Sequence, residues 1–138
     1  MSNKPIQITE FDLQRLKALL GEASHTEYRG SDYLAHLRAE LDRAQVVAPQ
    51  AVSHAVVTMN STVILLDMET QEEETYTLVY PENADLALGK ISILAPIGTA
   101  MLGYEIGDAF EWEVPAGKRR LQVKNILYQP EAAGDFNL

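Results

Sequence analysis

One change of residue usage divides this 138-residue chain near residue 45. Before that point Leu, Ala, Arg and Glu dominate, and these lose little freedom in a helix. Beyond it Val, Ile, Thr and Tyr take over, and these suit the pleated surface of a strand. Pro49 lies in the joint, residues 46–55. Helices segregated from strands predict an α+β fold. Residues 1–45 are expected to form a short antiparallel helical hairpin. Residues 46–138 are expected to form a small antiparallel sheet with one short helix and a C-terminal tail. The length suits one domain, or a small domain with an appendage.

The hairpin rests on two leucine stripes. Thr9 is the expected N-cap of the first helix, with Asp12 placing negative charge in its first turn. Leu13, Leu16 and Leu20 follow at helical spacing, and Gly21 is expected to stop the helix. Gly30 and Ser31 open the second helix, Ser31 as its N-cap, and Leu34, Leu37 and Leu41 repeat the spacing. Matching stripes joined by a short connection predict antiparallel packing. Each helix of about a dozen residues reaches only roughly 18–20 Å. The connection carries Glu22 and Glu27, with Asp32 just beyond. Such an acidic tip could hold a divalent cation. The simpler reading is an exposed polar loop with an acid favourable to the second helix dipole.

The second part reads as strands at 56–59, 62–68, 75–80, 90–94, 110–114 and 119–128. Pro96 begins about two turns of helix that Gly103 stops. Phe110, Trp112 and Val114 alternate with Glu111 and Glu113, which predicts a half-buried strand. In the last strand the apolar phase slips between Val123 and Ile126, which predicts a β-bulge near Lys124 and Asn125. Residues 129–138 read as a polar tail.

Charge and composition exclude several functions. Acidic residues number 20 and basic residues 11, for a net charge of −9. Residues 1–44 carry −1 of this and residues 45–138 carry −8. Independent nucleic-acid binding needs concentrated Lys and Arg, so it is not expected. A cationic surface is the better partner. With no cysteine there is no disulfide framework and no thiolate chemistry. The longest apolar runs, such as 63–66, are too short to span a membrane. No apolar signal core follows the N-terminus, so a cytoplasmic protein is expected.

No catalytic constellation emerges. His25, His36 and His54 lack metal-ligand spacing. Ser53, Ser61 and Ser92 sit in no nucleophile elbow, and no glycine-rich phosphate loop is present. The run Glu72–Glu74 reads as a solvated turn, and Trp112 reads as core rather than as a ligand platform. Lys118, Arg119 and Arg120 form the one basic cluster, most simply a charged edge that discourages strand addition. No enzyme, metal, cofactor or small-molecule substrate is expected, and the chain reads as an interaction protein.

The stretch from Thr75 to Gly117, TYTLVYPENADLALGKISILAPIGTAMLGYEIGDAFEWEVPAG, resembles the C-terminal domain of the GreA/GreB transcript-cleavage factors. The shared order is a strand, a GKIS loop leading into a Pro-x-Gly helix, Gly-Asp, an alternating strand, a Pro-x-Gly turn and a final strand. The motifs ELDRAQ, VVTMNS, TLVYP and YQPEAAGD are similar to a narrower branch of that family. The resemblance implies an FKBP-like C-terminal domain, an N-terminal coiled coil and binding to bacterial RNA polymerase at the rim of its secondary channel. The family's docking loop maps onto Leu94, Ala95, Pro96 and Ile97, with Met101 one helical turn on. Leu94 stands where some members have an acid, and Ala95 where they have serine. Gre factors also carry two tip carboxylates on long helices to the polymerase active site, where they help to hold a second metal. A roughly 20 Å arm is too short for that reach, so docking without cleavage is expected, in competition with Gre factors.

Two other readings stay open from the sequence. An FKBP-like fold could carry peptidyl-prolyl isomerase activity, which would need an apolar, aromatic-lined cleft. The chain could also be an interaction module for a different partner.

Overall fold

The computed structural model describes residues 6–23, 32–114 and 117–135. The hairpin follows its leucines. Thr9 caps the first helix, α1 (Glu10–Ala23): its Oγ1 accepts from the Asp12 backbone N–H at 3.2 Å. Gly21 does not stop α1, which runs on to Ala23. The second helix, α2, spans Asp32–Asp42, while Gly30 and Ser31 lie outside the described residues. Leu13, Leu16 and Leu20 bury one face of α1, and Leu34, Leu37 and Leu41 bury one face of α2. Two short strands, β1 (Gln7–Ile8) and β2 (Gln45–Val46), pair in parallel and bring the feet of the hairpin together. The 14 residues of α1 and 11 of α2 make arms of about 21 and 17 Å.

The sheet has five strands in the order β5-β4-β3-β7-β6. Its centre is β3 (Thr62–Asp67), flanked by β4 (Glu73–Val79) and β7 (Gly117–Tyr128), with β6 (Ala109–Val114) beside β7. Neighbours among these four pair antiparallel, and the short connections of β3 to β4 and of β6 to β7 make those two pairs hairpins. The expected all-antiparallel sheet is corrected at its edge, where β5 (Lys90–Ser92) runs parallel to β4. The chain leaves β4, passes through turns at Pro81–Asn83 and Leu86–Leu88, and re-enters in the same direction.

Three further expectations change. Residues 56–59 form no strand. Val56 makes an isolated bridge to Glu105, and the Val57 N–H and C=O bond to Tyr104 and Gly103 instead. The basic cluster is not at an edge, because β7 lies between β3 and β6. Arg119 instead forks across the sheet, 3.1 Å from Asp67 and 2.9 Å from Glu74, while Lys118 reaches Glu111 and Lys124 pairs with Glu73. The tail is not all loop. Gln129 is buried, and its Nε2 donates to the Ser53 and Val56 carbonyls at 2.8 and 2.7 Å. A short helix, α4 (Pro130–Ala133), follows and ends at Gly134 in the left-handed region.

The bulge lies where the apolar phase slips. Ile64 pairs with Asn125 but Leu65 with Val123, so Lys124 is skipped. A second shift skips Leu127, which points to solvent. The buried leucines of both hairpin helices join Val63, Leu65, Leu78, Leu121 and Val123 of the sheet in one continuous apolar core.

Candidate functional site

The loop 94–97 sits where the edge strand β5 turns into the short helix α3 (Pro96–Met101). Its backbone is fixed at each step. The Ile93 N–H bonds to the Val79 carbonyl at 2.9 Å, the Leu94 N–H to Ser92 Oγ at 3.0 Å, and the Ala95 N–H to the Ser92 carbonyl at 3.0 Å. Ala95 is extended, and Pro96 supplies the first helical residue, where its missing N–H costs nothing. Thr99 Oγ1 donates back to the Ile93 carbonyl and closes the corner.

Two glycines allow the close approaches. A Cβ on Gly98 would fall 2.1 Å from the Ser92 carbonyl oxygen, so α3 packs on β5 only with glycine there. Gly103, at φ +84°, turns the chain out of α3, and a Cβ on it would meet Ile6 Cγ2 at 2.1 Å. The segment leading into the hairpin therefore rests on the end of α3.

This rigid corner turns most of its apolar side chains inward. Leu94, Ile97 and Met101 are all buried in the common core. These three side chains help to close the core beneath α3 and leave little apolar surface of their own at the corner. Ala95 is half-buried and remains at the surface. Sequence reasoning missed a second apolar feature on the same edge. Asp85 and Lys90 bond reciprocally, each N–H to the other's carbonyl at 2.9 Å, and so pin the turn Leu86–Leu88 to the start of β5. Asp85 Oδ1 caps the turn at the Ala87 N–H. Leu86 and Leu88 stand out from it, 77% and 67% exposed. Two leucines spaced i, i+2 between a capping Asp and a Gly were the available signal.

At the far end of the hairpin, Glu22 is exposed near the end of α1 and Asp32 begins α2. Glu27 lies outside the described residues, as does the side chain of Trp112. Among the described residues, no three His, Asp or Glu side chains gather as a metal site would require.

Comparison with known proteins gives this geometry a setting. A family described as "Transcription elongation factor, GreA/GreB, C-term" matches residues 52–128, and one described as "Rnk N-terminus" matches residues 4–47. The chain is 41% identical over 139 residues to the "Regulator of nucleoside diphosphate kinase" of Escherichia coli strain K12, covering 100% of both. It is 39% identical over 101 residues to the transcription elongation factor GreA of a Sulfurovum species, covering 73% of this chain and 62% of that protein. Among solved structures, a GreA/GreB elongation factor from Nitrosomonas europaea superposes with a TM-score of 0.77 at 43% identity, over 89% of this chain and 99% of that one. The transcription factor Gfh1 shares the fold, with a TM-score of 0.52 at 23% identity over 92% of this chain and 100% of that one.

Proposed function

This chain belongs to the GreA/GreB transcription elongation factor family, with the Rnk type of N-terminus, and on that premise we propose that it regulates transcription by docking on bacterial RNA polymerase without stimulating transcript cleavage. The observation that carries the reading is the contrast between its two parts. The segment matching the family's C-terminal domain runs through the last strand of the sheet, whereas the hairpin arms are about 21 and 17 Å long. A sheet domain of Gre type can occupy the rim of the secondary channel, while the short hairpin leaves its acids outside the active site. The protein then competes with Gre factors for one site. An effect on nucleoside diphosphate kinase, the activity in the E. coli relative's name, would follow through transcription.

Within this reading the docking surface runs along the β5 edge, from the exposed Leu86 and Leu88 on the turn before the strand to Ala95 on the corner after it. Leu94, Ile97 and Met101, buried in the core, hold that corner in place, and Pro96 starts its helix. Duplex DNA is no partner by itself, since residues 45–138 carry a net −8. The site of action is the cytoplasm, where the polymerase works.

The test is displacement of labelled GreA from core RNA polymerase. The wild-type protein displaces it. Ala95→Arg or the double change Leu86→Asp/Leu88→Asp weakens displacement about tenfold or more, a hot-spot-sized loss, with the thermal midpoint nearly unchanged. Failure of the wild-type protein to displace GreA refutes the docking reading. Full displacement by both variants moves the contact off this edge.

A further inference from the structure

We propose that Asp12, Tyr80 and Arg15 form a proton-operated latch that seats the helical hairpin on the sheet, closed more firmly when Asp12 carries a proton than when it is ionised. The inference is independent of polymerase docking and rests on how three separate elements meet around one carboxyl group.

Asp12 lies in the first turn of α1 yet is only 4% exposed. Its Oδ1 accepts a hydrogen bond at 3.1 Å from the hydroxyl of Tyr80, the residue just after β4, which is itself buried. This bond joins residues 68 apart in sequence and ties the hairpin to the end of β4. Arg15, one turn along α1, does not form an ion pair with Asp12. Its guanidinium carbon sits over the Tyr80 ring, 3.7 Å from the centroid, and the group reaches Glu82 at 3.7 Å in the turn beyond. Glu131 of α4, which accepts from the Thr58 hydroxyl at 2.7 Å, places a negative charge near enough to act on Asp12.

The groups facing Asp12 therefore comprise the hydroxyls of Tyr80 and Thr9, the cation of Arg15 and the negative charge of Glu131. An ionised carboxylate here has lost its water and gains one side-chain donor across the interface. Burial, helped by the charge of Glu131, pushes the Asp12 carboxyl up to about 6, against the smaller opposing effects of Tyr80, Arg15 and Thr9. Burial and the charge of Asp12 also push the Tyr80 hydroxyl up, so it keeps its proton and donates throughout the physiological range. The helix N-terminus favours ionised Asp12, but this does not offset desolvation in a site without a paired cation.

Because the folded value is raised, the seat is firmest below the ordinary aspartate range. It loosens as pH rises through about 6. At neutral pH the hairpin is held chiefly by its leucines. In acid the neutral carboxyl adds to them.

The test uses the full chain. A carboxyl-carbon NMR titration reads Asp12 directly, and amide exchange of residues 13–20 is followed at pH 5 and 7.5, corrected for intrinsic exchange and referenced to β3 and β7. Asp12 is expected to titrate near 6. Protection of α1 is expected to fall about tenfold or more relative to the sheet across that interval, and to stay level in Asp12→Asn. Tyr80→Phe removes a bond that favours the charged form, so the Asp12 titration should move higher still. A titration near the ordinary aspartate value overturns the latch, whether or not Asp12→Asn folds. So does an α1 pH dependence that Asp12→Asn leaves intact.

Discussion

Asp12 at the hairpin seat and Asp67 at the end of β3 are both buried aspartates, and their surroundings treat them in opposite ways. Asp67 accepts from the backbone N–H groups of Glu69 and Thr70 and from Arg119. Those bonds hold its carboxyl below the usual range. Asp12 has one hydroxyl donor across its interface and a negative neighbour, and it is pushed up. The sheet thus pairs its acids with Arg119, Lys118 and Lys124, whereas at the hairpin the cation of Arg15 goes to Tyr80 and Glu82 and leaves Asp12 with a hydroxyl donor. On the proposed reading, the pH-sensitive contact lies where α1 meets Tyr80.

The sharpest way to break that contrast is to cut the core on each side of it. Leu65→Ala in the sheet and Leu16→Ala in the hairpin should each cost about 2–5 kcal/mol, read from urea midpoints. Because both leucines belong to one continuous core, each variant should still unfold in a single transition. A separate hairpin transition in Leu16→Ala would show that the parts are independent.

A smaller effect comes from Asp12→Asn. It should raise stability at pH 8 by about 1–2 kcal/mol and leave it almost unchanged at pH 4, since the raised group penalises only the ionised form. A loss at pH 8 would mean that the charge, not the burial, is what the seat needs.

Arg119→Ala should act in the opposite pH direction. Its partners are held below their ordinary values, Asp67 first by the Glu69 and Thr70 backbone N–H groups and Glu74 first by the Tyr76 hydroxyl, with Arg119 adding to both. That added share stabilises at neutral pH and fades as acid protonates the carboxyls. The gap between variant and wild type in thermal midpoint should be clear at pH 7 and close below the carboxylate range. Arg119 is partly solvated, which keeps the effect modest. A constant gap would assign the loss to packing of the arginine stem.

Local features were legible in the sequence. The leucine stripes, the Thr9 cap and the slip at Lys124 each follow from spacing within a few residues. The parallel pairing of β5 was hidden because a three-residue strand carries too little alternation to reveal its direction. The short helix α4 did leave a signal, Pro130 at its first position and Gly134 past its end. At the candidate site, the corner of Leu94, Pro96 and Ile97 could be placed but not its orientation, since apolar residues at an element junction read alike whether they face core or partner. Asp12 looked like an ordinary first-turn acid because Tyr80 is distant in sequence and only the folded chain brings the two together.

Backtracked elongation complexes test whether the protein docks on the polymerase without stimulating cleavage. With Mg²⁺ and saturating protein, the transcript should keep its length, and added GreA should cleave it more slowly as the protein concentration rises. Shortened transcripts from the protein alone, lost when Glu22, Glu27 and Asp32 are changed together to Ala, would contradict the account.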